Sequence, residues 1–449
     1  MTKDMTNGSP IKLIISFCIP MILGNFLQQL YNMVDAIIVG KCINLNALAA
    51  VGSTGSICFL VIGFATGVCS GFCILVSQAY GANDYRRMRK YVINSCYLCL
   101  IIAVILTILT LVFIRPLLEL MDTPADIIEQ AHEYLFMIFA GIIVTIFYNL
   151  FASILRALGD SRSPLIFLGI ASVINIVLDY VLIEFFDMGV GGAGLATVIA
   201  QAISTICCFI YIRRKLDILK FEKEELAFEG KGSLKLLSIG IPMALQFSIT
   251  AIGSIILQTA INGLGTVYVA AVTAAQKIQL IAIGPMECLG ITMATYCGQN
   301  KGAMKYDRIV KGLKQSIIVS LGYCVIACMA IIFFGKYISL LFIDKQDTDV
   351  IELAMQYLRI SACCFPTLGI LFIFRNSLQG LGYSLLPMMA GFTELVARVL
   401  VVMVLIKSVG YIGVCLASPV AWVAADILLI ITAVVQFPKL KQTLSPIKQ

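Results

Sequence analysis

Four residues in the first half of this chain have the types and spacing to hold a cation away from water. Asp35 stands in an apolar run that starts near Lys12, and Asp179 in another that starts at Pro164. Asn175 precedes Asp179 by one helical turn and shares its face. Thr197 lies early in the next apolar run, which starts at Gly192. At about 1.5 Å per residue, Asp179 falls in the far half of its span, and Asp35 reaches a similar depth. Thr197, on a span running the other way, meets them there. Two carboxylates, an amide and a hydroxyl make an oxygen-rich set that suits a proton or Na⁺. A charge at membrane depth is costly and is a functional hypothesis by default. The competing readings are that the acids only hydrogen-bond across helices, or that Asp35 faces water at the interface.

The second half carries different charges. Glu287 is mid-span, where it could attract a cationic molecule or pair with Lys277 on its own helix. Glu394 and Arg398 are one turn apart and are expected to neutralise each other. Asp426 lies in the inner half of the last span, with no role assigned. Tyr31, Gln28, Glu287 and Met243 are candidate lining for a cargo cavity, although aromatic and Met side chains in membrane helices more often pack. The single His132 reads as an interfacial residue. The sixteen cysteines are scattered through apolar runs without zinc-type spacing, so they read as small hydrophobes. No metal site or cofactor is expected beyond the coupling ion. No GxxxxGK[ST] run occurs, which argues against ATP, and no nucleophile, base and ligand cluster points to an enzyme.

These residues need helices in lipid to position them. The chain is 60% hydrophobic and only 13% charged, with a mean hydropathy of +0.98. Twelve apolar segments are long enough to span a bilayer: 14–38, 50–78, 91–114, 133–155, 164–184, 192–212, 237–261, 268–297, 316–342, 352–374, 386–407 and 411–436. The first contains Asn25, Gln28, Gln29 and Asp35 and is not read as a signal peptide. Basic residues crowd alternate loops: Arg86, Arg87, Arg89 and Lys90; Arg156 and Arg162; the run from Arg213 to Lys235; Lys301 to Lys314; and Lys439, Lys441 and Lys448. The other loops carry Asp122, Asp126, Glu129, Glu184, Asp187, Asp344, Asp347 and Asp349 with few bases. The positive-inside rule puts both termini and the 213–235 linker in the cytoplasm. The net charge of +7 therefore needs no nucleic-acid partner.

The chain is also written twice. Ile19-Pro20-Met21 recurs as Ile241-Pro242-Met243, and Gln78, Gly81, Ala82 and Tyr85 recur as Gln299, Gly302, Ala303 and Tyr306. Leu158-Gly159, Ser161 and Pro164 recur as Leu381-Gly382, Ser384 and Pro387, and Gly192 and Leu195-Ala196 as Gly413 and Leu416-Ala417. The offset stays between 221 and 223 positions. Six spans per half is an even number, so the repeats are parallel, related by an axis along the membrane normal. The expected organisation is an N-terminal tail 1–13, a first lobe 14–212, a linker 213–235, a second lobe 236–436 and a tail 437–449. The repeat is also a control. The counterparts of Asp35 and Asp179 fall near Leu257 and Val402, so the fold does not need the acids. Glu287 likewise has the uncharged partner Thr66.

Several motifs together resemble the multidrug and toxic compound extrusion (MATE) family, in its DinF-like branch. They are Pro20, the run Gln28 to Asp35, Gly40, Ala49-Ala50-Val51-Gly52, Ser77 to Ala82, Arg156 to Asp160, Asn175 to Asp179, Gly194 to Thr197, Gly298-Gln299-Asn300 and Gln379 to Gly382. The resemblance covers the whole chain. It implies an all-α membrane protein of two six-helix bundles forming a V-shaped cavity, exchanging organic cations for H⁺ or Na⁺. In DinF-like members a helix 1 Asp, a helix 5 Asn and Asp and a helix 6 Thr form the cation site, and Asp35, Asn175, Asp179 and Thr197 match them. The helix 7 acid of another branch is missing, since 241–261 has no carboxylate.

The expected mechanism is alternating access in the cytoplasmic membrane, the chain acting as a monomer on drugs and dyes among membrane lipids. A cation at Asp35 and Asp179 neutralises the pair and lets helix 1 repack near Pro20. H⁺ and Na⁺ both fit these oxygens. The runner-up is a lipid-linked precursor flippase, which wants a strongly cationic cavity; the acids here favour cationic cargo.

Overall fold

A computed structural model describes residues 3–121, 123–340, 343 and 345–444. Asp122, Asp344, Lys448, positions 341–342 of the 316–342 span and the end of the C-terminal tail lie outside the described residues. The described chain is helical throughout. The first repeat holds α1 (Pro10–Cys42), α2 (Leu45–Ser53), α3 (Gly55–Gly81), α4 (Tyr85–Leu120), α5 (Ile128–Ala140), α6 (Ile142–Ala157), α7 (Arg162–Tyr180) and α8 (Gly189–Lys215). The second holds α9 (Gly230–Asn262), α10 (Thr266–Gly302), α11 (Tyr306–Ser339), α12 (Thr348–Cys363), α13 (Phe365–Gly380), α14 (Leu385–Val409) and α15 (Tyr411–Leu444). Ten stretches are long and apolar enough to cross a bilayer; α5 with α6 and α12 with α13 are pairs bent by 51°, and counting each as one span gives twelve. The first bend falls at Gly141, whose bare backbone lies against Val198. The second falls at Cys364, just before Phe365-Pro366.

The same packing scheme occurs in both repeats. In the first, α3 lies on α4 and α6, α7 lies on α8, and α5 and α6 also reach α8. In the second, α10 lies on α11 and α13, α14 lies on α15, and α12 and α13 reach α15. Phe72, Leu135, Phe139 and Leu150 fill one core, and Cys324, Leu358, Phe365 and Cys415 fill the other. Val112 and Phe113 of α4 and Ile326 and Phe333 of α11 are more than half exposed. A stripe of that kind in water would drive aggregation; in lipid it costs nothing.

The compact units do not follow the repeat boundaries. One comprises Met1–Asp4 and Ile19–Phe247, the other Met5–Cys18 and Ser248–Gln449. The lobes expected at 14–212 and 236–436 thus exchange the start of α1, up to Cys18, and the first half of α9, up to Phe247. Small residues explain one exchange. A Cβ on Gly67 would lie 2.6 Å from the Ala244 Cα, and one on Gly71 2.6 Å from the Gly240 Cα, so α3 and α9 meet backbone to backbone. Polar grips explain the other. The Met5 N–H donates to Gln299 Oε1 at 2.9 Å, while Asn300 Nδ2 and Arg308 Nη2 donate to the Met5 carbonyl at 3.1 and 3.0 Å. Each helix carries a proline near its crossover, Pro20 in α1 and Pro242 in α9. A proline removes one backbone hydrogen bond and eases bending there.

The 213–235 stretch is not the passive bridge its polarity suggests. Helices α8 and α9 take its margins, and residues 216–229 are fastened to α4. Arg89 Nε and Nη2 donate to the Glu225 carboxylate at 2.6 and 2.7 Å. The Glu229 N–H and the Ser233 hydroxyl both donate to Asn94 Oδ1, and the Tyr97 hydroxyl donates to the Leu226 carbonyl. The Arg89 fork holds the Glu225 carboxyl below the usual carboxylate range.

Two predictions follow from this packing. Gly71→Val should cost more than about 3 kcal/mol, because backbone rather than a pliable side chain occupies the added volume; loss of folded protein on gel filtration checks it. The depressed Glu225 stabilises the fold above the ordinary carboxylate range, and that contribution is lost as pH falls. Glu225→Gln should therefore destabilise by about 1–3 kcal/mol near neutrality and lose less Tm than the wild type between about pH 5 and pH 3.

Candidate cation site

Three helices bring the site together within the first unit. Helix α1 presents Gln28, Tyr31 and Asp35 at three- and four-residue steps, α7 presents Asn175 and Asp179, and α8 presents Thr197 and Gln201. Asp179 and Asn175 are 0% and 1% exposed and Asp35 is 8% exposed, so Asp35 does not face water. The two carboxyls are near enough to interact with each other. Each acid also keeps its Oδ1 buried without a partner. With the Asn175 amide oriented to satisfy both ends, its Nδ2 donates to Asp179 Oδ2 at 3.2 Å and its Oδ1 accepts from the Thr197 N–H at 3.3 Å. The Thr197 hydroxyl stands 3.4 Å from the same amide. Immediately after Asp179 and Tyr180 the helix widens into a π-helical turn, Val181–Phe185, a feature frequent at functional sites.

A small cavity adjoins this group. Gln28, Tyr31, Tyr148, Asn175, Thr197 and Gln201 are among its walls, and its volume is about 40 Å³. That is room for water or an ion, far below the several hundred Å³ of a drug pocket. Gln28 and Tyr31 therefore line an ion-sized space. Met243 is elsewhere in this unit, buried in α9 with its carbonyl against Gly67. Glu287 belongs to the other unit, half-buried on α10. It makes no ion pair or hydrogen bond among the described residues, and Lys277, ten residues away, is about 15 Å off along the helix.

The second unit has a buried charge cluster instead. Glu394 was expected to pair with Arg398, and it does at 3.4 Å, but its shorter bond is to Arg375 Nη2 at 2.7 Å. Asp426 is also buried in this unit. Sequence reasoning missed Arg375, although a lone base directly after the apolar run Leu368–Phe374 was its signal. The repeat offset aligns Arg398 with Asn175, and Gly253 with Tyr31. A Cβ on Gly253 would sit 2.5 Å from Arg398 Nη1, so the bare glycine leaves room for the guanidinium. Asp35 and Asp179 make no ion pair among the described residues, whereas Glu394 in the second unit pairs with Arg375 and Arg398.

A family model described as MatE matches residues 20–181 and 242–404, two stretches separated by the repeat offset. The chain belongs to the MatE family. Its members are multidrug efflux transporters rather than enzymes, and this one is a multi-pass membrane protein. It is 29% identical over 389 residues to the probable multidrug resistance protein YpnP of Bacillus subtilis (strain 168), covering 85% of each chain. It is 27% identical over 394 residues to the probable multidrug resistance protein YoeA of the same organism, covering 86% of this chain and 85% of that one. Its fold matches the outward-facing structure of a multidrug resistance MATE family transporter with a TM-score of 0.91 at 23% identity, covering 98% of this chain and 99% of that one.

Asp35→Asn and Asp179→Asn should each reduce dye efflux at least about tenfold with normal membrane insertion. Asn175→Ala and Thr197→Ala should be milder, since both carboxyls stay. Full drug resistance in cells carrying either Asp variant would remove these acids from the transport cycle.

Proposed function

We propose that this MatE protein exports organic, mainly cationic compounds across the cytoplasmic membrane by antiport against H⁺ or Na⁺, with both termini in the cytoplasm. The observation that supports it is the acid pair, both buried, each with an Oδ1 that has no partner among the described residues. A bound cation satisfies those oxygens; an empty, doubly charged pair does not last in low dielectric. Asp35 rides on the same helix whose residues before Ile19 belong to the other unit. Neutralising Asp35 therefore biases the packing of a helix that both units own, with Pro20 near the crossover. The ion-sized cavity beside the pair fits the coupling ion, and the organic cargo needs a larger space that opens during the cycle. The chain works as a monomer, without a cofactor.

Ethidium efflux from cells expressing the protein tests this. Efflux should collapse with a protonophore if H⁺ drives it, or in Na⁺-free buffer if Na⁺ does. Efflux unaffected by removal of both gradients would exclude antiport.

A further inference from the structure

At the basic end of the first unit, Arg87 and Lys90 of α4 and Lys231 and Lys235 of α9 surround a cleft of about 150 Å³. Tyr91 and Gly232 complete its walls, and Glu229 is its one carboxylate. Lys90 Nζ stands 3.5 Å from Glu229 Oε2. Arg87 Nε donates to the Tyr91 hydroxyl at 3.0 Å, and its guanidinium lies 5.5 Å from the ring centroid. Lys231 and Lys235 are exposed and make no ion pair among the described residues. Four cations against one carboxylate leave the cleft at +3. Gly232 lies in the first turn of α9, whose amide N–H groups have no partner within the helix and add to the positive potential. A water takes about 30 Å³, so the cleft holds a group of several heavy atoms.

The surroundings are apolar. Phe228 and Leu234, next in sequence to the cleft residues Glu229 and Lys235, are 58% and 68% exposed. The Tyr97 and Phe228 rings stand 6.3 Å apart on the same shelf. Cations around a cleft with bare apolar side chains beside them match a lipid: headgroup on one, acyl chain on the other. We propose that this cleft binds the phosphate of an anionic phospholipid. The cytoplasmic leaflet follows from the topology proposed above; the binding itself does not depend on it.

Native mass spectrometry of the full-length protein, purified in detergent with phosphatidylglycerol or phosphatidylcholine, tests the assignment. Each basic residue facing an anionic headgroup contributes about fivefold in affinity, so Lys231→Gln with Lys235→Gln should lower phosphatidylglycerol retention by about 25-fold. Lys439→Gln with Lys441→Gln, which removes two exposed charges elsewhere, should change it little. Phosphatidylcholine, with no net charge, should be retained weakly by all forms. Equal retention of the two lipids by the wild type, or equal loss in the two double variants, would overturn the site. Displacement of phosphatidylglycerol by millimolar inorganic phosphate would overturn the lipid assignment and leave free phosphate as the ligand.

Discussion

Two neighbouring buried carboxyls inside a membrane protein are the constraint on which the rest depends. Asp35 and Asp179 repel when both are ionised, and lipid supplies no screening. A proton or a metal cation relieves that repulsion, so the site has two stable conditions rather than one. Asn175 and Thr197 hold Asp179 in place through one amide. The wide turn after Tyr180 gives that end of α7 a looser backbone. In the proposed cycle, occupancy of the pair is a change in charge at a defined place, with a defined set of neighbours.

The exchange of helix segments gives that change something to act on. Helix α1 contributes Asp35 to one compact unit and Pro10–Cys18 to the other. Helix α9 does the reverse, held by Gly67 and Gly71 against its own backbone. The prolines near both crossovers, Pro20 and Pro242, allow a bend without breaking further hydrogen bonds. In the second unit, Glu394 is paired with Arg375 and Arg398. There the neutralising charge is built into the chain.

Much of this was legible in the residues. Apolar length gave the helices, and the 221–223 offset gave the parallel halves, because hydrophobicity and duplication are properties of the sequence alone. Asp35, Asn175, Asp179 and Thr197 were legible because polar residues in lipid are conspicuous. The crossover of α1 and α9 was not, since it depends on which glycines face which backbone. Arg375 was overlooked because its partner Glu394 already had a nearer candidate one turn away. The linker's anchoring was hidden for a similar reason: Glu225 sits among other charges, and only its fit to Arg89 distinguishes it.

The central claim is that cargo and a small cation compete through the Asp35 and Asp179 pair. The direct measurement is ion displacement from purified protein on adding ethidium, followed by proton release in weak buffer and by bound ²²Na⁺. The account predicts that one of the two ions leaves the wild type in proportion to the dye bound, and that the Asp35→Asn, Asp179→Asn double variant releases neither. Dye binding to the wild type with no ion released, or equal release from the double variant, would contradict it.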